Sequence, residues 1–196
     1  MKILLKQILL ILASAGMVFS LMLLLYAIPE SSASIIDNIG FGLLATPIGE
    51  PTRLKIPKIN VDAFIEYVGV TSAGAMDISE NQDSVAWFKL GPRPGEKGSA
   101  VIAGHYGIKN KKGSVFDGLY KLRKGDKIYI KDDKGATISF VVRKSQRYDP
   151  NADASDVFIS NDGKAHLNLI TCEGVWNALF KTYSKRLVVF TDKIIE

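Results

Sequence analysis

From Thr52 to Asp192 no apolar period of 3.6 residues persists for more than one or two turns. What recurs is short apolar runs, alternating or continuous, broken by clusters of Gly, Pro, Asn, Asp and Ser. That pattern specifies many short strands and almost no helix, so the chain must bury its apolar residues between strands, as a small all-β barrel or sandwich. Ile59, Val61, Ala63, Ile65 and Tyr67 alternate with Asn60, Asp62 and Glu66, a half-buried strand with Pro57 placing its start at an edge. Ser84 to Phe88 is a short apolar patch, and Gly91 to Gly98 is a turn cluster. Ala100 to Ala103 reads as a buried strand running into Gly104-His105. Phe116, Leu119 and Leu122 predict one or two helical turns. Lys127–Lys131 and Ala136–Arg143 flank Asp132-Asp133-Lys134-Gly135, a hairpin signal. Leu167–Cys172 and Arg186–Asp192 are the last two strands, separated by a loop over 173–185.

The N-terminal part is different. Residues 8–28 carry no charge, and a helix of that length spans roughly 30 Å, the thickness of a bilayer core. Lys2 and Lys6 precede it and Glu30 follows, so the basic flank predicts a cytoplasmic N-terminus and an exported remainder. Ser31-Ser32-Ala33 offers a small-residue cleavage site, but signal-peptide cores run about 7–15 residues, so an uncleaved single-pass anchor fits better. Three segments follow: a cytoplasmic stub and anchor over 1–30, a juxtamembrane linker over 31–51 with Ile35, Ile36, Ile39 and Leu43 at helical spacing, and a β domain over 52–196. Without Lys2, Lys6 and Glu30 the net charge is +4, a mild excess with no basic block. It fits an anionic neighbour such as a membrane surface or wall polymer, and no nucleic-acid partner is expected.

Cys172 is the one cysteine, so no intramolecular disulfide can form. An exported, unpaired thiol is open to oxidation unless it is buried or has a chemical role. It stands at a strand end, where a rigid scaffold can hold a nucleophile open to substrate. A thiol nucleophile needs a base or cation nearby. His166 lies six residues upstream on the same expected strand, roughly 20 Å away, and is a poor candidate for that base. His105 ends a different strand and can be brought alongside. Arg186 opens the strand after Cys172 and would lie close to it if the two strands pair; Lys185 should point to the other face. An inert, buried Cys172 in a binding module stays open at this point.

The order of these segments resembles the sortases, membrane-anchored cysteine transpeptidases of cell surfaces. Asn168-Leu169-Ile170-Thr171-Cys172 is similar to that family's Thr-Leu-x-Thr-Cys signature, with Asn168 in place of the first Thr. Ala103-Gly104-His105, Ser184 to Val189, Leu54 to Ile59 and Gly95 to Gly98 resemble its other landmarks, over about residues 52 to 193. The resemblance implies a closed eight-stranded barrel with short helices. It implies Cys172 as nucleophile, His105 as acid and base, and Arg186 as holder of the substrate backbone or oxyanion. Thr171 and the Glu173 backbone N–H would help line the oxyanion site. It also implies cleavage of a Leu-Pro-x-Thr-Gly sorting signal on surface proteins, a thioester, and transfer to an amine of a peptidoglycan precursor or a pilin lysine. A cysteine peptidase using water, or a non-catalytic anchored barrel, are the alternatives. No cofactor or metal is expected. Asp149, Asn151, Asp153 and Ser155 follow calcium-loop spacing, but Ala154 and Ser160 replace its Gly and Glu, so only a looser calcium site stays open.

Overall fold

A computed structural model describes residues 47–108 and 112–195. The charge-free stretch 8–28, the cleavage motif and residues 31–46 of the linker lie outside the described residues. Among the described residues no helix is long and apolar enough to cross a membrane.

Eight strands form a closed barrel in the order β1-β2-β3-β4-β7-β8-β6-β5. They are β1 (Pro51–Ile56), β2 (Val61–Val68), β3 (Val85–Phe88) and β4 (Gly98–Gly104), then β5 (Lys127–Asp132), β6 (Thr137–Tyr148), β7 (Ala165–Asn177) and β8 (Thr182–Lys193). One short helix, α1 (Ser155–Phe158), sits in the β6–β7 connection. Pairing of β1 with β5 closes the sheet.

Local chemistry explains the turns. Pro57 does not open a strand. It begins a 3-10 turn, Pro57–Ile59, where its missing N–H costs nothing, and Asn60 in the left-handed region (φ 55°) reverses the chain. β2 then returns antiparallel to β1, with Leu54 opposite Ala63. In the β5–β6 hairpin the Asp132 carboxylate accepts the Lys134 and Ala136 amides at 3.0 and 2.7 Å, and Gly135 takes φ +84°. The same carboxylate accepts the Gly49 amide, docking the chain just before β1 onto this turn.

Inward-facing residues such as Leu54, Val85, Ile102, Ile130, Phe140 and Leu169 fill the barrel. Full burial of side chains of this size contributes roughly 1.5–3 kcal/mol each before chain entropy is charged. Phe116, Leu119 and Leu122 do form the expected turn, around the 3-10 segment Leu119–Lys121, and all three plug the interior. A second apolar layer lies outside: Val101, Tyr148, Val157, Val188 and Phe190 pack with α1 residue Phe158. Both faces of β7 are therefore covered near its middle, which is why it reads as a nearly continuous apolar run.

The expected 173–185 loop is a correction. β7 and β8 continue as a hairpin, with Trp176 opposite Tyr183 and Asn177 opposite Thr182, after an irregularity between Glu173 and Trp176. Trp176 and Phe180 are 51% and 71% exposed on this hairpin.

Candidate active site

β4 ends at Gly104, and a Cβ there would lie 2.4 Å from the Phe116 ring. Only glycine allows this approach. The Phe116 amide then donates to the His105 carbonyl at 3.0 Å, fixing where β4 delivers the histidine. β4 runs parallel to β7, with Ala103 level with Ile170. Continued by two residues, that register sets His105 level with Cys172. The Thr171 hydroxyl holds it there by donating to the Gly104 carbonyl at 2.7 Å. On the other side of β7, Cys172 is the direct antiparallel partner of Arg186. Directly opposed residues share a face, so the sulfur and the guanidinium project to the same side. All three side chains line one groove of about 870 Å³.

Two connections wall the groove. The β2–β3 segment contributes Val70, Met76 and Ser79; the β6–β7 segment contributes Pro150, Ala154 and Phe158. Ile170 and Val188 form part of its floor. Near the β7–β8 hairpin, Tyr183 meets Tyr106 and Trp176 edge to face, at ring separations of 5.3 and 5.1 Å.

The thiol is half-buried. Burial pushes its pKa up, and the Arg186 charge pulls down without overcoming it. The thiol is therefore harder to ionise than a free cysteine. Arg186 is fixed by its own hairpin: Nη1 donates to the Tyr183 and Lys185 carbonyls, each at 3.1 Å, and Nη2 to Thr182 Oγ1 at 2.9 Å. Nε–H is among the guanidinium donors left for another acceptor. His105 Nε2 lies 2.7 Å from the Ser79 carbonyl oxygen, which can only accept.

The family model for the sortase domain matches residues 54–194. The chain belongs to the sortase family. Over 145 residues it is 30% identical to sortase A of Bacillus anthracis, covering 72% of this chain and 59% of that protein. It therefore spans less than two thirds of that relative's length. Among solved structures, the pilus-related sortase C of Group B Streptococcus aligns at TM-score 0.58 and 26% identity, over 74% of this chain and 68% of that one. Sortase C-1 of Actinomyces oris aligns at TM-score 0.59 and 24% identity, over 74% of each chain, a likeness of fold.

Other residues singled out in this sortase take definite positions. Thr171 faces inward, 3% exposed, with its hydroxyl committed to Gly104, so its side chain braces β4 against β7. The Glu173 carboxylate pairs with Arg147 through Nε and Nη2, at 2.5 and 2.9 Å. Lys185 points away and pairs with Asp149. His166 is buried at the far end of β7, with Nδ1 2.9 Å from Asp192 and Nε2 3.0 Å from Asp162. In the calcium-like spacing, Asp149 is taken by Lys185 and Asp153 bonds the Ser155 amide and hydroxyl. Among the described residues no group of three or more His, Cys, Asp or Glu side chains converges as a metal site.

Sequence reasoning passed over Ser79 and Glu66. Ser79 sits in Asp77-Ile78-Ser79-Glu80-Asn81, which carries only the signature of a turn. Asn168 was noted only as a departure from the signature. Its Nδ2 donates to the Val157 carbonyl at 2.6 Å and so ties α1 to β7.

Proposed function

We propose that this sortase is a membrane-anchored thiol transpeptidase that acts on surface proteins through a Cys172 thioester. The observation that carries the reading is that His105, just past the end of β4, and the directly paired Cys172 and Arg186 on β7 and β8 line one groove.

The chemistry follows from the atoms. Cys172 Sγ attacks the scissile carbonyl carbon, and the thiol proton passes to His105. Because Nε2–H is engaged by Ser79, the nitrogen that takes up and returns the proton is Nδ1. Negative charge develops on the carbonyl oxygen, where the remaining Arg186 donors and the Glu173 backbone N–H stabilise it. The C–N bond breaks, Nδ1 gives the proton to the leaving amine, and a thioester remains. An incoming amine loses its proton to Nδ1, attacks the thioester and forms a new amide, regenerating the thiol. Burial of the sulfur disfavours the thiolate, the form most open to oxidation.

The donor is a sorting signal of the Leu-Pro-x-Thr-Gly type. The mostly apolar groove suits an extended peptide with a Leu-Pro pair. The acceptor is an amine of a wall precursor or a pilin lysine. Residues 8–28 anchor the enzyme, with the barrel outside the cell.

The test is incubation of the full-length chain in detergent with labelled Leu-Pro-x-Thr-Gly peptides, with and without candidate amines, followed by mass spectrometry. Amide product with loss of the Gly fragment supports the reading. Cleavage that yields only the free acid at every amine concentration replaces it with a peptidase, and cleavage by Cys172→Ala removes it.

A further inference from the structure

The β2–β3 connection holds a chain of contacts that ends on the histidine. Glu66 projects from β2, and its two carboxylate oxygens grip the turn that follows. Oε1 accepts the Ser79 hydroxyl at 2.7 Å, and Oε2 accepts the Glu80 amide at 3.1 Å. The single Ser79 hydroxyl proton also has the Asn81 carbonyl within 2.8 Å, but the carboxylate is the charged and stronger acceptor. The Asn81 amide donates back to Ser79 Oγ at 3.2 Å. Ser79 is 3% exposed, so its geometry is set by these partners and not by water. With its hydroxyl held on one side, its carbonyl is directed at His105 Nε2 at 2.7 Å. Burial works against ionisation of Glu66, yet the bonds from Ser79 and the Glu80 amide hold its carboxyl below the usual range. It is therefore a carboxylate, an acceptor only, at neutral pH.

We propose that Glu66 and Ser79 are positioning residues for His105: the carboxylate fixes the turn, and the Ser79 carbonyl fixes the ring with hydrogen on Nε2 and Nδ1 turned to the groove. This inference rests on the proposed role of His105 as proton carrier. Catalytic bases of nucleophilic enzymes are oriented by a third group, because a ring free to rotate or change tautomer spends time with the wrong nitrogen toward the nucleophile. Among the described residues His105 has no carboxylate partner of its own. A backbone carbonyl supplies the orientation, and the carboxylate acts one step behind it. The arrangement avoids placing a negative charge beside a thiol that must lose its proton during attack, which would oppose thiolate formation. It also makes the wall that receives the peptide part of the device, since Ser79 lines the same groove.

The experiment uses full-length protein labelled with ¹⁵N-histidine, compared with Glu66→Gln and Ser79→Ala. The chain has two histidines, so His105→Asn assigns the spectrum outright. The expected wild-type signal for the neutral His105 ring is the Nε2–H form with a slowly exchanging proton. In both variants that proton exchanges faster and the ring moves toward a tautomer mixture. The value of kcat falls about 10-fold, in line with the loss expected from a misaligned catalytic group, with KM within about twofold. His166, held between Asp162 and Asp192, reports that the barrel is intact. Glu66→Gln changes no residue of the loop, so the result does not depend on Ser79→Ala keeping its fold. Unchanged His105 signals in both variants, or a rise in KM at constant kcat, overturns the proposal. A wild-type chain that transfers no acyl group would sink the proposed function, while the ring signals would still decide whether this clamp exists.

Discussion

Cys172 and Arg186 face each other directly across the antiparallel β7–β8 ladder. The sulfur is half-buried, and the guanidinium is held to the hairpin by the Tyr183 and Lys185 carbonyls and by Thr182. The cation is thus preorganised beside the sulfur, where the proposed reaction would develop charge. Replacing Arg186 by Gln is expected to lower kcat by about 10²–10³-fold, the range for loss of one preorganised oxyanion donor. Arg186→Lys should recover little, since a single ammonium cannot satisfy the hairpin acceptors and a substrate oxygen together. Steady-state kinetics on a sorting-signal peptide measures both.

The thiol should titrate high. Burial raises its pKa and Arg186 opposes that rise. The midpoint of the pH dependence of alkylation by iodoacetamide should therefore lie above that of a free cysteine. In Arg186→Gln the midpoint moves further up. A thiol whose folded pKa exceeds its unfolded value favours the fold at low and neutral pH. That contribution disappears as pH rises through the folded pKa. A midpoint below that of free cysteine would contradict this upward shift.

Gly104→Ala should damage the site through packing. The new methyl group would lie 2.4 Å from the Phe116 ring, so either β4 or Phe116 must shift. We expect a loss of about 1–3 kcal/mol in unfolding free energy, as for overpacked cores, together with a drop in kcat as His105 is displaced. The double variant with Phe116→Leu should recover part of both. Denaturant melts and kinetics on the single and double variants provide the check.

Asn168 is 1% exposed, and among the described residues its Oδ1 has no hydrogen-bond partner while Nδ2 donates to the Val157 carbonyl. Asn168→Thr is too short to reach Val157. Removing the donor leaves a buried carbonyl unsatisfied, worth about 1–3 kcal/mol, although loss of the orphaned Oδ1 offsets part of this. Because α1 carries Phe158 into the groove wall, KM for the peptide should rise at nearly constant kcat. A fall in kcat alone would assign Asn168 to the chemistry instead.

At the other end of β7, Asp162 holds its carboxyl well below the usual range by bonding His166, helped by the Lys164 amide. A depressed folded pKa adds stability above the unfolded value and loses it as pH falls. Asp162→Asn should therefore lower the Tm at pH 7, and the difference should shrink as pH drops below about 4. The carboxylate is exposed, so the effect will be small and sensitive to salt. A gap between variant and wild type that widens with acid would reverse this assignment.

The strand alternation, the lone Cys172, the strand-end His105 and the following Arg186 were legible from the residue order, and with them the all-β class and the three side chains of the candidate site. These are local signals: a period of two, a turn cluster, a residue type at a segment end. What they could not carry was partnership. β1 was hidden because its pairing with β2 and β5 depends on an Asn60 reversal and a barrel closure distant in the chain. The 173–185 segment read as a loop because its exposed faces follow no apolar rule, yet ladder bonds extend both strands through it. Thr171 read as a site residue, and its hydroxyl is used 67 positions away on Gly104. The contact of Ser79 with His105 is between a backbone carbonyl and a ring, and a backbone atom leaves no trace in residue identity. Sequence alone determined which groups are present and the face each strand shows. Tertiary structure alone decided which groups meet, because hydrogen bonds and packing across strands depend on positions that chain order does not encode.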